Sequence, residues 1–331
     1  MRMFGLSTSV LAVIVFGGIA WTSNAIYGAN LYVDPDCQGY EPFSPNGAKM
    51  TVAANLLAHQ IDLSVYDSVK TISFPSRDDK VSVAGLLSLP ADGAPLVVAT
   101  HGFTSCKHHL HLLSVLGMLA SEGYGVLAID LREHGDSSVV DGVAAMGSDE
   151  FNDVLGAFDY AQNTLAITRD RLGFWGESMG AATTLIANSQ ENLGPIFLDA
   201  PYADIKTVLK DNADRASVPP WTVEFILPAV GLLRGYDFGG SRPIDGLTAH
   251  DDQPIFWVHG GDDETVGLHH AHWAQRKAEG RDFVTFTIFE SLGHVATMLQ
   301  RPSEYRIALV SFFDQHLKDQ LGIARIDLSV K

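Results

Sequence analysis

Eight short apolar runs, interleaved with longer segments of helical period, constrain this chain more than any other feature. The runs at 71–74, 82–89, 96–100, 125–129, 172–175, 196–198, 255–259 and 283–289 are rich in β-branched and aromatic residues, mostly bounded by Gly, Pro or polar turn residues. Between them, 109–122, 148–163, 178–190, 269–279 and 304–317 repeat their apolar residues every three or four positions. Alternation of this kind builds an α/β fold: a mostly parallel eight-stranded sheet with helices on both faces. The first two runs are separated by the polar turn 76–80 and read as a hairpin. Residues 202–250 break the rhythm between the sixth and seventh runs, being longer than a plain crossover. A small helical cap at about 203–250 is expected there, since some fifty residues bury too little to stand as a second domain.

Composition narrows the partners. With 22 Lys+Arg against 39 Asp+Glu the formal charge is −17. Such a chain is repelled by the phosphates of nucleic acid and by anionic lipid head groups. Two cysteines, Cys37 and Cys106, are too few for a disulfide framework or a four-thiolate zinc site. They read as free thiols, with a single bridge left open in an oxidising compartment.

The N-terminal segment points to export. Arg2 precedes a stretch that is wholly apolar or glycine from Val10 to Trp21, and the next basic residue is Lys49. Twelve residues fit a signal h-region of roughly 7–15, and counting back to Phe4 just reaches the roughly 20 of a membrane span. Ser23-Asn24-Ala25 offers small residues for a signal peptidase. Residues 1–25 are therefore expected to be either a cleaved signal peptide or a single-pass anchor, with the remainder outside the cytoplasm. Residues 26–70 read as a lead-in with one helix near 50–63, and 71–331 as the main domain.

The chemistry centres on Gly176-Glu177-Ser178-Met179-Gly180. It follows one expected strand and opens one expected helix, which is the context of a nucleophile elbow. Ser178 then sits at a helix N-terminus, where backbone N–H groups favour an anion formed beside it. A serine needs a base, and the base needs an acid to orient it. Asp262 and Asp263 follow the seventh run, and His294 follows the eighth, so both loops open at the same edge of the sheet. Asp199, at the end of the sixth run, competes for the role of acid. The oxyanion donors are expected to be the N–H groups of Met179 and of Phe103, in the loop His101-Gly102-Phe103 after the third run. The clusters His108, His109, His111 and His269, His270, His272 read as solvated helix starts rather than metal sites. His134 precedes Ser178 in the chain and breaks the expected order.

These residues resemble the α/β-hydrolase superfamily, and within it the serine-dependent group around bacterial YqkD-like and eukaryotic Bem46-like hydrolases. The resemblance rests on His101-Gly102-Phe103, Asp130-Leu131-Arg132, Gly135, Ser137, the elbow, Gly260-x-x-Asp263-x-x-Val266 and Gly293-His294. It implies Ser178, Asp263 and His294 as the catalytic triad, with Asp263 chosen over Asp262. It implies hydrolysis of a small-molecule or lipid-like carboxylic ester or thioester through an acyl-enzyme, with no metal and no organic cofactor. A peptidase on the same triad is the alternative, with Glu177 or Asp136 available to bind a substrate ammonium. A non-catalytic protein on the same scaffold is the weaker reading, because every triad member is present. Of the cap residues Trp221, Phe225, Ile226 and Leu233, some are expected to line an acyl pocket and the others to pack the cap onto the sheet.

Overall fold

The computed structural model describes residues 8–34, 37, 43–55, 61–89, 93–239 and 242–322. Its centre is one eight-stranded sheet built from β1 (Lys70–Pro75), β2 (Ser82–Ser88), β3 (Leu96–Thr100), β4 (Gly125–Ile129), β5 (Leu172–Glu177), β6 (Ile196–Asp199), β7 (Ile255–Gly260) and β8 (Val284–Phe289). The order is β1-β2-β4-β3-β5-β6-β7-β8. β2 is antiparallel to both β1 and β4, and all other pairs are parallel.

The central strands are apolar throughout because helices cover both faces. Along β3, Leu96 and Val98 face one core and Val97 and Ala99 the other. One core holds α4 (Phe151–Asn163) and α5 (Ser178–Gln190) through Val154, Phe158, Ala182 and Leu185. The second holds α3 (Leu110–Ser121) and the last long helix, Pro302–Phe313, through Leu112, Leu116, Tyr305 and Phe313. Every expected strand is present within two residues of its expected limits.

Ahead of β1, the helices differ in extent from those expected. Helix α1 runs unbroken from Thr8 to Asn30, across the expected boundary at Ala25. No proline interrupts it, and Ser23, Tyr27 and Leu31, spaced four apart, are all buried against the main domain. Residues 1–7 lie outside the described residues. Among the described residues, no helix is long and apolar enough to cross a membrane. The helix expected at 50–63 is instead α2 (Pro45–Ala53), because Ser44 caps it by accepting from the Gly47 N–H at 3.0 Å and Pro45 pre-sets its first turn. Residues 56–60 of that expectation lie outside the described residues.

The lead-in is also anchored. Val33 N–H donates to Gly142 O at 2.9 Å and Ala144 N–H to Leu31 O at 3.0 Å. Cys37 and Cys106 form a disulfide, with Cα atoms 5.9 Å apart, which corrects the free-thiol reading. Sixty-nine residues separate the two, so only the fold reveals that they meet.

The cap consists of α6 (Ile205–Arg215), α7 (Val223–Arg234) and α8 (Pro243–Gly246). α1 lies along α7, tied to it by Arg234 Nε–H donating to Asn24 Oδ1 at 2.7 Å. The Tyr27 ring packs beside Tyr236 and Phe238, and its hydroxyl donates to Ala144 O at 2.9 Å.

Candidate active site

β5 ends at Glu177 and α5 begins at Ser178, with no residue between them. The turn is so abrupt that Ser178 adopts φ +48°, a left-handed conformation that L-residues avoid at a cost of about 1–2 kcal/mol. The flanking glycines permit it. A Cβ on Gly176 would sit 2.7 Å from Thr100 Oγ1, and one on Gly180 would overlap the carbonyl oxygens of Thr100 and His101.

Loops after β7 and β8 bring two partners to the serine. Ser178 Oγ lies 2.8 Å from His294 Nε2, and His294 Nδ1 lies 2.7 Å from Asp263 Oδ2. A carboxylate at Nδ1 holds the proton there, leaving Nε2 to accept from the serine hydroxyl. Asp263 is itself clamped, since its Oδ1 accepts the N–H groups of Thr265 at 2.9 Å and Val266 at 2.8 Å. Its side chain is fully buried, whereas Asp262 is exposed. The structure therefore brings Ser178, Asp263 and His294 together and leaves Asp262 out.

Asp199 stands behind this cluster. It pairs in register with Glu177, is buried, and does not reach His294, whose Nδ1 is taken by Asp263. Burial, and secondarily the charge of Glu177, push its carboxyl up to about 7. Its Oδ2 has no hydrogen-bond partner among the described residues.

The expectation of solvated histidines at the start of α3 is overturned. His111 is buried, and its Nδ1 lies 2.6 Å from Glu177 Oε2. Burial alone would raise the Glu177 carboxyl, yet the charge and hydrogen bond of His111 hold it at about 2. His109, His111 and Glu177 place their ligand atoms within 4.8 Å of one another. The carboxylate is already engaged by His111 and by the Gly102 N–H at 3.4 Å, so it serves the elbow as one half of an ion pair. His270 is likewise buried, near Asp211 and His269. Its Nδ1 accepts the Ala203 N–H at 3.1 Å, so the ring proton sits on Nε2, and a metal there would require a costly imidazolate. His134 is buried beside His101, with Nδ1–H donating to Arg132 O at 2.9 Å. Burial pushes it down to about 3, so it stays neutral.

A cavity of about 370 Å³ opens from Ser178. Phe103 and Met179 line it beside Ser178. Met179 is the second residue of α5, so its N–H is one of the unpaired donors of the first helical turn. Val208, Leu209 and Ala213 of α6 and Val223 and Ile226 of α7 form the cap side, and none of the lining residues is charged. Trp221 and Phe225, expected in this pocket, do not line it and are 63% and 61% exposed. α7 buries Val223, Leu227 and Val230 against the domain, and Phe225 falls on the opposite side of that helix. Leu233 is exposed too, and of the four expected cap residues Ile226 alone reaches the cavity. The missing wall comes from α1 and the residue after it: Ile26, Tyr27, Asn30 and Leu31. Reading the N-terminus as leader or anchor hid these residues; the spacing of Ser23, Tyr27 and Leu31 was the one available signal.

A mostly parallel eight-stranded sheet, a serine elbow after β5, and a histidine loop after β8 define an α/β-hydrolase. Residues 110–320, more than half of the chain, match the prolyl oligopeptidase family, and the chain belongs to that family. It is 24% identical over 242 residues to YqkD of Bacillus subtilis, covering 70% of this chain and 75% of that protein. It is 26% identical over 182 residues to human protein ABHD12B, covering 54% of this chain and 48% of ABHD12B. Among solved structures, the esterase Pf2001 of Pyrococcus furiosus superposes with a TM-score of 0.63 at 20% identity, over 84% of this chain and 96% of the esterase. The acylaminoacyl peptidase of Pyrococcus horikoshii gives a TM-score of 0.57 at 17% identity, over 76% of this chain and 42% of that one. These likenesses establish a hydrolase fold shared by esterases and peptidases.

Proposed function

We propose that this hydrolase cleaves carboxylic esters or thioesters through an acyl-enzyme on Ser178. The His294 imidazole takes the Ser178 proton as Oγ attacks the acyl carbonyl, and Asp263 stabilises the imidazolium that forms. The N–H groups of Phe103 and Met179 receive the oxyanion. His294 then returns the proton to the leaving alcohol or thiol, and water repeats the sequence to free the acid.

The choice of ester over peptide rests on one observation: the cavity beside Ser178 is lined by apolar and neutral residues only. An aminopeptidase needs a carboxylate for the substrate ammonium, and the two candidates are already engaged. Glu177 is buried against His111, and Asp136 lies 2.5 Å from Lys107 Nζ. Paired assays on p-nitrophenyl acyl esters and aminoacyl p-nitroanilides test the proposal. Turnover of the esters with none of the anilides is expected; the reverse would assign the site to a peptidase.

The disulfide between Cys37 and Cys106 supports a location outside the cytoplasm, because such bonds persist in oxidising compartments. A reporter fused after Lys331 should therefore be active only where exported reporters work, and activity confined to the cytoplasm would contradict this.

A further inference from the structure

We propose that α1 stays on the working protein as a wall of the acyl cavity, and that the outer face of α7 rests on an uncharged lipid surface from which a lipid-borne ester is drawn. The proposal deepens the ester reading and rests on it.

The wall is built rather than incidental. Ile26, Tyr27, Asn30 and Leu31 line the same cavity as Ser178. Tyr27 is held by its hydrogen bond to Ala144 O, and Asn24 by Arg234, whose Nη1 also pairs with Asp141. A cut at Ala25 would remove Asn24 and leave four wall residues on a free chain end. The rim is apolar as well: Ile26 is 47% exposed and Val218 43% exposed, both of them lining residues.

The neighbouring surface has one apolar stripe. Phe225, Pro228 and Leu232 are spaced by three and four residues, which places them on one side of α7, and Trp221 stands in the turn that precedes it. All four are exposed, Leu232 at 84%, and the Trp221 and Phe225 rings meet edge-on at 6.0 Å. Glu224, the one acidic residue of α7, is neutralised by Lys206 and Lys210. A lipid surface is favoured over a second copy of this chain by continuity. The helix beside α7 exposes Trp21 at 72% and Ile26 at 47%, the first an aromatic suited to the headgroup level. The chain's −17 charge disfavours anionic lipids and leaves zwitterionic ones.

The test uses the full chain with phosphatidylcholine vesicles. Three things are measured: flotation, hydrolysis of a long-chain p-nitrophenyl ester dissolved in those vesicles, and hydrolysis of soluble p-nitrophenyl acetate. Phe225→Ser/Leu232→Ser, both outside the cavity, should slow vesicle-borne turnover by roughly tenfold while acetate turnover stays within about twofold. Equal vesicle-borne turnover by wild type and variant, with acetate cleaved by both, would overturn the lipid-facing surface. So would a wild-type dimer that the double substitution dissolves while vesicle-borne turnover is unchanged. Failure of the wild type on acetate would instead refute the ester reading, and flotation is read independently of it. For the wall, Ile26→Trp should shorten the longest acyl chain accepted. An unchanged chain-length profile, or a mature protein beginning at Ile26, would overturn that part.

Discussion

The two sides of Ser178 are made differently. Below it, Asp263 and His294 stand on short loops at the ends of adjacent parallel strands, joined by hydrogen bonds of 2.7 and 2.8 Å. Above it, the cavity is closed by cap helices and by α1, which lie far apart in the sequence and meet through apolar packing and the Arg234–Asn24 hydrogen bond. Strand register and the backbone N–H groups that clamp Asp263 fix the geometry of the lower side, as proton transfer demands. The upper side needs only the right volume and no charge, so many sequences could build it. The chemistry should therefore fail sharply on substitution, while specificity should shift by degrees.

The largest effects belong below. His294→Ala should lower kcat/KM on p-nitrophenyl acetate by about 10⁴-fold or more, and Asp263→Asn by up to about 10⁴-fold, because the amide favours the wrong imidazole tautomer. Asp199→Asn in the same assay should stay near wild type. If Asp199→Asn were inactive and Asp263→Asn active, the acid would be misassigned and the lower side would have another geometry.

The disulfide joins the two sides, linking the lead-in that follows α1 to Cys106, three residues after Phe103. Cys37→Ser should lower the unfolding free energy by about 2–4 kcal/mol, as expected for releasing so long a loop. Urea titration with and without reductant measures it. A wild type indifferent to reductant would show that the lead-in is not stapled to the hydrolase core.

A subtler effect comes from the carboxyl behind the elbow. Asp199 ionises near 4 when unfolded but at about 7 when folded, so the folded chain binds the extra proton between those values. Stability should then fall as pH rises from about 4 to about 7 and remain lowered above it. Asp199→Asn mimics the protonated form. It should raise the wild-type stability at pH 8 by on the order of 1–4 kcal/mol and change it little at pH 4. An equal change at both pH values would mean that Asp199 does not hold its proton in the folded state.

The smallest change tests the upper side. Val223→Phe adds bulk to the cavity wall and should move the optimum acyl length downward. Each excluded methylene should cost about fourfold in kcat/KM for the longest esters. A profile that does not move would place the acyl chain elsewhere.

The same contrast explains what was legible in the sequence. The elbow, the strand before it and His294 were readable because sharp turns and loop presentation demand particular residues at short spacing. Choosing Asp263 over Asp262 needed the family resemblance, and the fold supplies the reason: one carboxylate is clamped by Thr265 and Val266, the other faces solvent. The partnership of His111 with Glu177 spans 66 residues and that of Cys37 with Cys106 spans 69, and no local pattern announces either. Trp221 and Phe225 misled because bulk alone suggested a pocket, whereas the phase of α7 turns them outward. α1 was hidden for a related reason: an apolar N-terminal helix reads alike whether it leads, anchors or lines a cavity, and the residues it lends to this cavity appear only in the fold.

All of this chemistry turns on Ser178 as the nucleophile. Intact-protein mass spectrometry after treatment with a fluorophosphonate tests it most directly, with peptide mapping to place the adduct. One phosphonyl group on Ser178, absent from Ser178→Ala and strongly reduced in His294→Ala, is the predicted result. No adduct on the folded protein, or an adduct on another residue that survives Ser178→Ala, would contradict it.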